Sequence, residues 1–559
     1  MSDQPPFNIA DTLRETARRF PAQPAVLVCS RGGARSQVAT SPPVTFAQLD
    51  AECDRLAEGL RQLGVRPGDR LVLAVRPGPD FLRWTFALFR SGATVVLLDP
   101  GMGLRRIFQC LDQIDPAGFI GPPRVQWLRW LQRRRFARAR FNITVGPAPW
   151  GPGLPVDRLL ALAPATATPF PTTTRRQETA AIIFTSGSTG PPKGVVYQHG
   201  MFAAQIDALR DTWQIPPGGI DLAAFPLFGL FNIALGLTTL VPPMDASRPG
   251  RANPAWLVRA LRDHQVEQSF ASPAVWKRVG DYCRQHQVQL PSLRRVFSAG
   301  APVSPAVLET MAAALTAPDA AIYTPYGATE ALPVAAISAS TVLTETAALT
   351  RQGAGTCVGH PIGKIAVRIV RVTDGPLGET DLRQPLPVEV LGEIVVRGPV
   401  VTQQYFQLPE ATGLAKAWLD GECWHRMGDI GYFDRQGRLW FCGRKSQRVE
   451  TPSGVLWTDR VEPIFNTHPD VTRTALVGVG PRPRQQAVVV VETRTHRWST
   501  TLLAELRKLA LAHQTTRELC CFVHFPRPLP VDVRHNTKIQ REWLGEWASR
   551  QRLDLQDTT

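Results

Sequence analysis

The stretch TSGSTGPPKG, Thr185 to Gly194, lies between the apolar runs AAIIF (180–184) and GVVYQ (194–198). Both runs are short and apolar, which predicts two buried strands joined by a loop. The composition of that loop points to phosphate. Glycines at 187, 190 and 194 let backbone N–H groups approach an anion, Ser186, Ser188 and Thr189 add hydroxyl donors, and Lys193 adds a mobile positive charge. The spacing is not that of a Walker loop, because Lys193 is preceded by Pro192 and followed by Gly194. Gly, Ser, Thr and Pro are also ordinary turn residues, but a bare turn has no use for so long a run of them with a single lysine.

Working outward, the 559 residues are enough for more than one domain. Hydrophobic residues make up 44% and charged residues 20%, as in ordinary globular proteins. The opening MSDQPPFNIADTLRETARRF has no apolar core for a secretion signal, and no run of about 18 apolar residues predicts a membrane span. Nine scattered cysteines without a C-x-x-C pair fit a reducing compartment and argue against structural zinc. A cytoplasmic location is expected. The net charge of +16 raises the question of nucleic acid, but the charge is spread along the chain and no nucleic-acid partner is expected. Of 63 basic residues only seven are lysine: Lys193, Lys277, Lys364, Lys416, Lys445, Lys508 and Lys538. Where arginine is the default cation, each retained ammonium merits inspection, because the two are not interchangeable.

Helical stretches such as TFAQLDAECDRLAEGLRQLG (45–64) alternate with apolar runs such as RLVLAV (70–75) and GATVVLLD (92–99), which predicts βα units and an α/β fold. LAPATATPFPTTTRRQ (162–177) reads as an exposed loop before the phosphate strand, and CSRGGARSQVATSPP (29–43) as a long surface excursion. VQWLRWLQRRRFARARF, Val125 to Phe141, interleaves Trp127, Leu128, Trp130, Leu131 and Phe136 with six arginines. It reads either as an arginine-coated helix packed on its own domain or as a contact for an anionic membrane or a partner protein.

Three further stretches carry chemistry. IYTPYGATE (322–330) sets an aromatic, a glycine, a hydroxyl and a carboxylate close together, as for one wall of a nucleotide site or simply a turn at a strand end. In HRMGDIGYFDRQGRLWFCGRKSQRVE (425–450), DRQG reads as the turn of a hairpin, and Asp429 has two oxygens able to accept two ribose hydroxyls. RHNTKIQRE places Lys538 near the C-terminus.

In this order, and over nearly the whole chain, these stretches resemble the adenylate-forming superfamily of acyl-CoA ligases, peptide-synthetase adenylation domains and luciferases. The resemblance implies a large N-terminal domain over 1–442 and a small mobile α+β domain over 443–559. It implies ATP and Mg2+ as cofactors. Thr185, Ser186, Gly187, Ser188, Thr189, Gly190 and Lys193 would grip the β- and γ-phosphates. SAGAP (298–302) would face the adenine through Gly300, Ala301 and Pro302, with Tyr326 and Gly327 beside the base. Thr329 and Glu330 would serve the α-phosphate and the metal, and Asp429 the ribose, with Arg444 beside it. Lys538 would stabilise charge developing at the α-phosphate.

Departures narrow the resemblance. The common hinge pattern G-R-x-D-x-x-I-K-x-x-G meets GRKSQRVETPSG, with Ser446 for the aspartate, Glu450 for the lysine and Gly454 one place late. The usual histidine in FPLFGLFNIALGL (225–237) is Gly229, and Thr537 replaces the glycine before the C-terminal lysine. TPYGATE, GAGTCVG, HRMGDIGYFD, LWFCGRKSQRVET, VEPIFNTHP, RTALVGVG and VDVRHNTKIQRE resemble the branch that forms β-lactones in bacterial long-chain olefin biosynthesis. That branch implies a long-chain 2-alkyl-3-hydroxy acid as substrate, a tethered hydroxyl as acceptor, and other enzymes of the pathway as partners. The alternatives are a long-chain fatty acyl-CoA ligase and a catalytically dead scaffold. The base for the hydroxyl is open, with His199 one histidine to consider.

Overall fold

The structure, a computed structural model, describes residues 5–31, 38–147, 150–164, 169–185, 191–225, 227–531 and 539–551. Ser186 to Gly190 and Lys538 therefore lie outside the described residues. A seven-stranded sheet carries the decisive stretch. Its order runs Lys193–Gln198, Thr179–Thr185, Thr94–Leu97, Arg70–Leu73, Gly118–Gly121, Phe141–Thr144, Leu154–Pro155. All neighbours are parallel except the first pair, where Lys193 faces Thr185 across an antiparallel ladder. TVVL and RLVL are mainly buried, the continuous apolar pattern of strands covered on both faces.

The helix Phe46–Leu63 shows why such coverings form. Thr45 accepts the Gln48 N–H while Gln48 accepts the Thr45 N–H, and Gly64 ends the helix at φ 97°. Leu49, Cys53, Leu56 and Leu60 recur at helical spacing and are buried. Each leucine so buried stabilises by about 2 kcal/mol.

A second sheet of fifteen strands has a parallel centre: Ala321–Ala328, Arg295–Ser298, Gln268–Ala271, Ile220–Ala223, Thr238–Val241, Pro24–Arg31. An antiparallel wing extends from Ala331–Ser338 through Thr356–Pro361, Leu439–Arg444 and Glu422–Phe433 to Gly392–Arg397 and Ala366–Val370. The excursion 29–43 is partly a hairpin, with Cys29 opposite Thr40 and Arg31 opposite Val38. From Val449 on, apolar side chains form two clusters on either face of a three-stranded sheet, Val471–Val479, Gln486–Thr493 and Phe522–Phe525. The expected α/β class holds. All nine cysteines are unpaired, and among the described residues no helix is long and apolar enough to cross a membrane.

One expectation is corrected. The described part of 162–177 is not wholly exposed, because Phe170 and Thr174 are buried. Asn8 Nδ2 donates to Thr174 Oγ1 (2.9 Å) and to the Phe89 carbonyl (2.6 Å), and the Phe7 N–H donates to the Thr174 carbonyl (2.8 Å). Asp54 accepts from Arg14 (2.5 Å), Arg90 (2.8 Å) and the Phe170 N–H (3.1 Å). The N-terminal segment thus straps down the approach to the strand Thr179–Thr185.

Asp221 sits fully buried in a parallel strand, where Asn232 Nδ2 donates to it at 3.0 Å. Burial pushes its carboxyl up to about 7. Below the ordinary carboxylate range the group is neutral in folded and unfolded chains alike. Between there and about 7 the unfolded chain ionises while the folded one stays protonated, so stability falls as pH rises, and above that the loss is complete. Asp221→Asn removes this term. Its melting-temperature advantage over wild type should be smallest near pH 4 and larger by about 2–5 °C near pH 8.5. Equal melting temperatures at both pH values would show that Asp221 is not held protonated.

Candidate active site

The edge strand Lys193–Gln198 of the first sheet meets the hairpin tip of the second and the segment 402–406, beside the C-terminal end of Thr179–Thr185, the kind of strand end at which open α/β sheets bind ligands. Thr185 ends the strand Thr179–Thr185, and Lys193 opens the returning strand opposite it. On the other sheet, Tyr326, Thr329 and Glu330 sit at the tip of an antiparallel hairpin, Ala321–Ala328 with Ala331–Ser338. Ala328 pairs with Ala331, so Thr329 and Glu330 are its two turn residues. The strand-end turn and the nucleotide wall are the same structure. A bulge separates Tyr326 from Ala328. A Cβ on the intervening Gly327 would lie 2.8 Å from the Ala331 carbonyl oxygen, which only glycine avoids.

The segment 402–406 ties these parts together. The Phe406 N–H donates to the Gly194 carbonyl at 2.7 Å, joining it to the lysine strand. The Thr402 N–H and Oγ1 both donate to the Glu330 carbonyl, at 2.9 and 3.0 Å. Tyr405 Oη donates to Glu330 Oε1 at 2.9 Å, and Lys193 Nζ stands 5.0 Å from the centre of the Tyr405 ring. Tyr197 Oη donates to the Thr329 carbonyl. Lys193, Thr329 and Glu330 are thus brought together.

Lys416, Tyr405 and Thr402 were not singled out as site residues. Lys416 is buried and donates from Nζ to the Thr402 carbonyl and, at 3.2 Å, to Thr402 Oγ1. Burial lowers its ammonium to about 8, while Glu330 and Cys423 oppose the shift. His425, also buried, is held well below its ordinary range by burial and by the charges of Lys416, Lys193 and Arg444. One neutral ring therefore feels three cations, an electrostatic setting suited to a polyphosphate. The retained lysine in an arginine-rich chain was the one signal in the sequence that pointed to Lys416.

Asp429, Tyr326 and Arg444 form a second group. Asp429 is 2% exposed, accepts from Tyr326 Oη at 2.6 Å and pairs with Arg444 Nε at 3.1 Å. Asp429 lies opposite Arg444 on the hairpin read from GDIGYFDRQGRLWFCGR, and Asp434 closes its turn by accepting the N–H groups of Gln436 and Arg438. Gly300, Ala301 and Pro302 follow the strand Arg295–Ser298, which pairs directly with the Tyr326 strand.

His199 is buried at the start of a helix, its Nδ1 accepting the Ile9 N–H at 3.3 Å and its ring 5.8 Å from Phe89. Burial lowers it to about 4. It packs the strap and faces no solvent. Phe228, Leu230, Phe231, Ile233 and Leu235 are buried, so the apolar stretch is mostly core, while Phe225 and Leu227 are half-buried. At the altered hinge, Ser446 lies in a short 3₁₀ turn, its carbonyl accepting Arg482 at 2.9 Å. Glu450 pairs with Arg448 at 2.5 Å, and Arg448 with Asp374 at 2.6 Å. Lys445 Nζ reaches the Thr373 carbonyl at 2.8 Å. Gly454, at φ 143°, follows the turn of the hairpin Val449–Thr451 and Gly454–Leu456. Among the described residues no cluster of three metal-ligating side chains exists.

Comparison with known proteins agrees with this arrangement. Residues 13–406 match the family described as AMP-binding enzyme. An olefin beta-lactone synthetase of Xanthomonas campestris pv. campestris is 44% identical over 98% of this chain and 98% of its own. One from Stenotrophomonas maltophilia is 46% identical over 97% and 98%. A feruloyl-CoA synthase of Amycolatopsis is 29% identical over 83% and 87%. In fold, the chain is similar to an amide bond synthetase from Marinactinospora thermotolerans, with TM-score 0.77 and 22% identity over 96% of this chain and 99% of that one. With a family match over most of the chain and close relatives along nearly its full length, the chain belongs to the AMP-binding enzymes.

Proposed function

We propose that this protein is an ATP-dependent β-lactone synthetase acting on a 2-alkyl-3-hydroxyalkanoic acid in the cytoplasm. The observation that carries this reading is the near full-length identity to two olefin beta-lactone synthetases. The acid's carboxylate attacks the α-phosphorus of ATP, and the bond to pyrophosphate breaks. The substrate's own hydroxyl oxygen then attacks the acyl carbon and loses its proton, while AMP leaves with the electron pair of the C–O bond. The ring is strained, so its closure needs a leaving group as good as AMP. No external acceptor is needed, because the hydroxyl is already tethered.

In this reading Thr185 to Gly190 and Lys193 hold the β- and γ-phosphates, Gly300 to Pro302 and Tyr326 face the base, and Asp429 takes the ribose. Glu330 supplies one carboxylate to Mg2+, whose remaining oxygens come from phosphates and water, as magnesium prefers. That fits a carboxylate anchored by Tyr405 and no three-ligand cluster among the described residues. The metal would neutralise phosphate charge. Beyond the strand Leu439–Arg444 the chain forms the small unit that would present Lys538. Ser446 and Glu450 at its hinge support an acceptor that does not require the rearrangement CoA ligases make.

Lys538→Ala should suppress pyrophosphate release by about a thousandfold with little change in ATP affinity, since it acts on developing charge. Asp429→Ala should instead weaken ATP binding by about tenfold or more. Unchanged pyrophosphate release in Lys538→Ala would remove that lysine from the mechanism.

Tyr405→Phe keeps the ring beside Lys193 and deletes only the hydroxyl that orients Glu330. The Mg2+ concentration for half-maximal pyrophosphate release should rise by about three- to tenfold. An unchanged magnesium titration would separate Glu330 from the metal.

The acceptor is tested directly by product analysis. A 2-alkyl-3-hydroxy acid with Mg-ATP should give lactone and AMP at rates indifferent to CoA, and an unsubstituted long-chain acid should stop at the acyl-adenylate. Rapid CoA-dependent AMP release from the simple acid, with no lactone from the hydroxy acid, would establish a fatty acyl-CoA ligase instead.

A further inference from the structure

The helix Pro123–Leu131 is built inside out. Its only fully buried side chain is polar: Gln126 Nε2 donates to the Phe119 carbonyl at 3.0 Å and to the Ile143 carbonyl at 2.7 Å. These two bonds fasten the helix to the neighbouring strands Gly118–Gly121 and Phe141–Thr144, and Phe136, 5.2 Å from Phe119, fastens the turn that follows. The large apolar side chains face outward. Trp127 is 45% exposed, Trp130 41% and Leu131 65%, with the two indoles edge to face at 5.6 Å. An exposed apolar group of this size on one short element is a contact surface, not leftover core.

The charge around it has one sign. Between Asp115 and Asp157 the sequence has seven arginines and no acidic residue. Arg135 and Arg138 reach back to Asp112 and Asp115. Arg124, Arg133, Arg134 and Arg140 have no carboxylate partner among the described residues, and the Arg133 guanidinium rests 5.0 Å from the Trp130 ring centre. Trp150, 90% exposed, projects from the loop leading to Gly153, which backs onto Gln126.

We propose that this face docks the protein onto an anionic lipid surface. Indoles prefer the boundary between headgroups and acyl chains, and arginines beside them keep their charge among the phosphates while their stems lie on apolar surface. Each arginine near an anionic leaflet adds attraction that salt screens. The argument uses no residue of the nucleotide site and stands whether or not the substrate assignment does.

Flotation with vesicles tests it. The full chain should float with phosphatidylcholine vesicles containing about one third phosphatidylglycerol and stay behind with phosphatidylcholine alone. Trp127→Ser/Trp130→Ser and Arg133→Glu/Arg134→Glu should each bind about tenfold more weakly, with unchanged melting temperature and unchanged adenylation of a short soluble acid. About 0.5 M NaCl should release most of the wild-type protein. No binding by wild type, equal binding to both vesicle types, or variants that float like wild type would overturn the proposal. So would a wild-type dimer that the tryptophan variant dissolves, because the face would then be an interface between protein chains.

Discussion

The carboxylate of Asp429 is buried between a phenol and a guanidinium, and much of the site hangs on that arrangement. A buried charge must be paired and hydrogen-bonded or it neutralises. Meeting that demand brings the tip of one hairpin, through Tyr326, against the strands Glu422–Phe433 and Leu439–Arg444. The second of those strands runs directly into the altered hinge, where Lys445 and Arg448 hold Thr373 and Asp374. The residue proposed to hold a ribose is thus also the joint at which wing, hairpin and hinge are registered.

What was legible in the sequence was local. The two strands that flank the glycine- and hydroxyl-rich loop were written in adjacent residues, and both form. The DRQG turn follows from Asp434 bonding to backbone groups two and four residues on. The partners that complete the site were not legible. Tyr405 meets Glu330 across 75 residues and Thr402 meets it across 72, distances over which no periodicity carries information. The strap was missed for the same reason, since Asn8 and Thr174 are 166 residues apart.

The basic helix shows a different limit. Its composition announced an amphipathic element, but composition says only that two faces differ, not which of them the fold keeps. Gln126 decides the matter by bonding to the Phe119 and Ile143 carbonyls of two neighbouring strands, partners that do not appear in the helix's own sequence. Arginine richness likewise hid the working cations. Arg90 and Arg426 are consumed in buried pairs with Asp50, Asp54 and Glu393, whereas Lys193 and Lys416 converge on the site.

Tyr405 has a consequence of its own. Its ring lies beside the lysine proposed to grip the nucleotide's tail, and its hydroxyl holds the carboxylate proposed to face the metal. If both proposals hold, the two ligands would be linked through opposite ends of this one side chain. By reciprocity, whatever affinity the metal lends to phosphate through this ring, phosphate returns to the metal in equal measure.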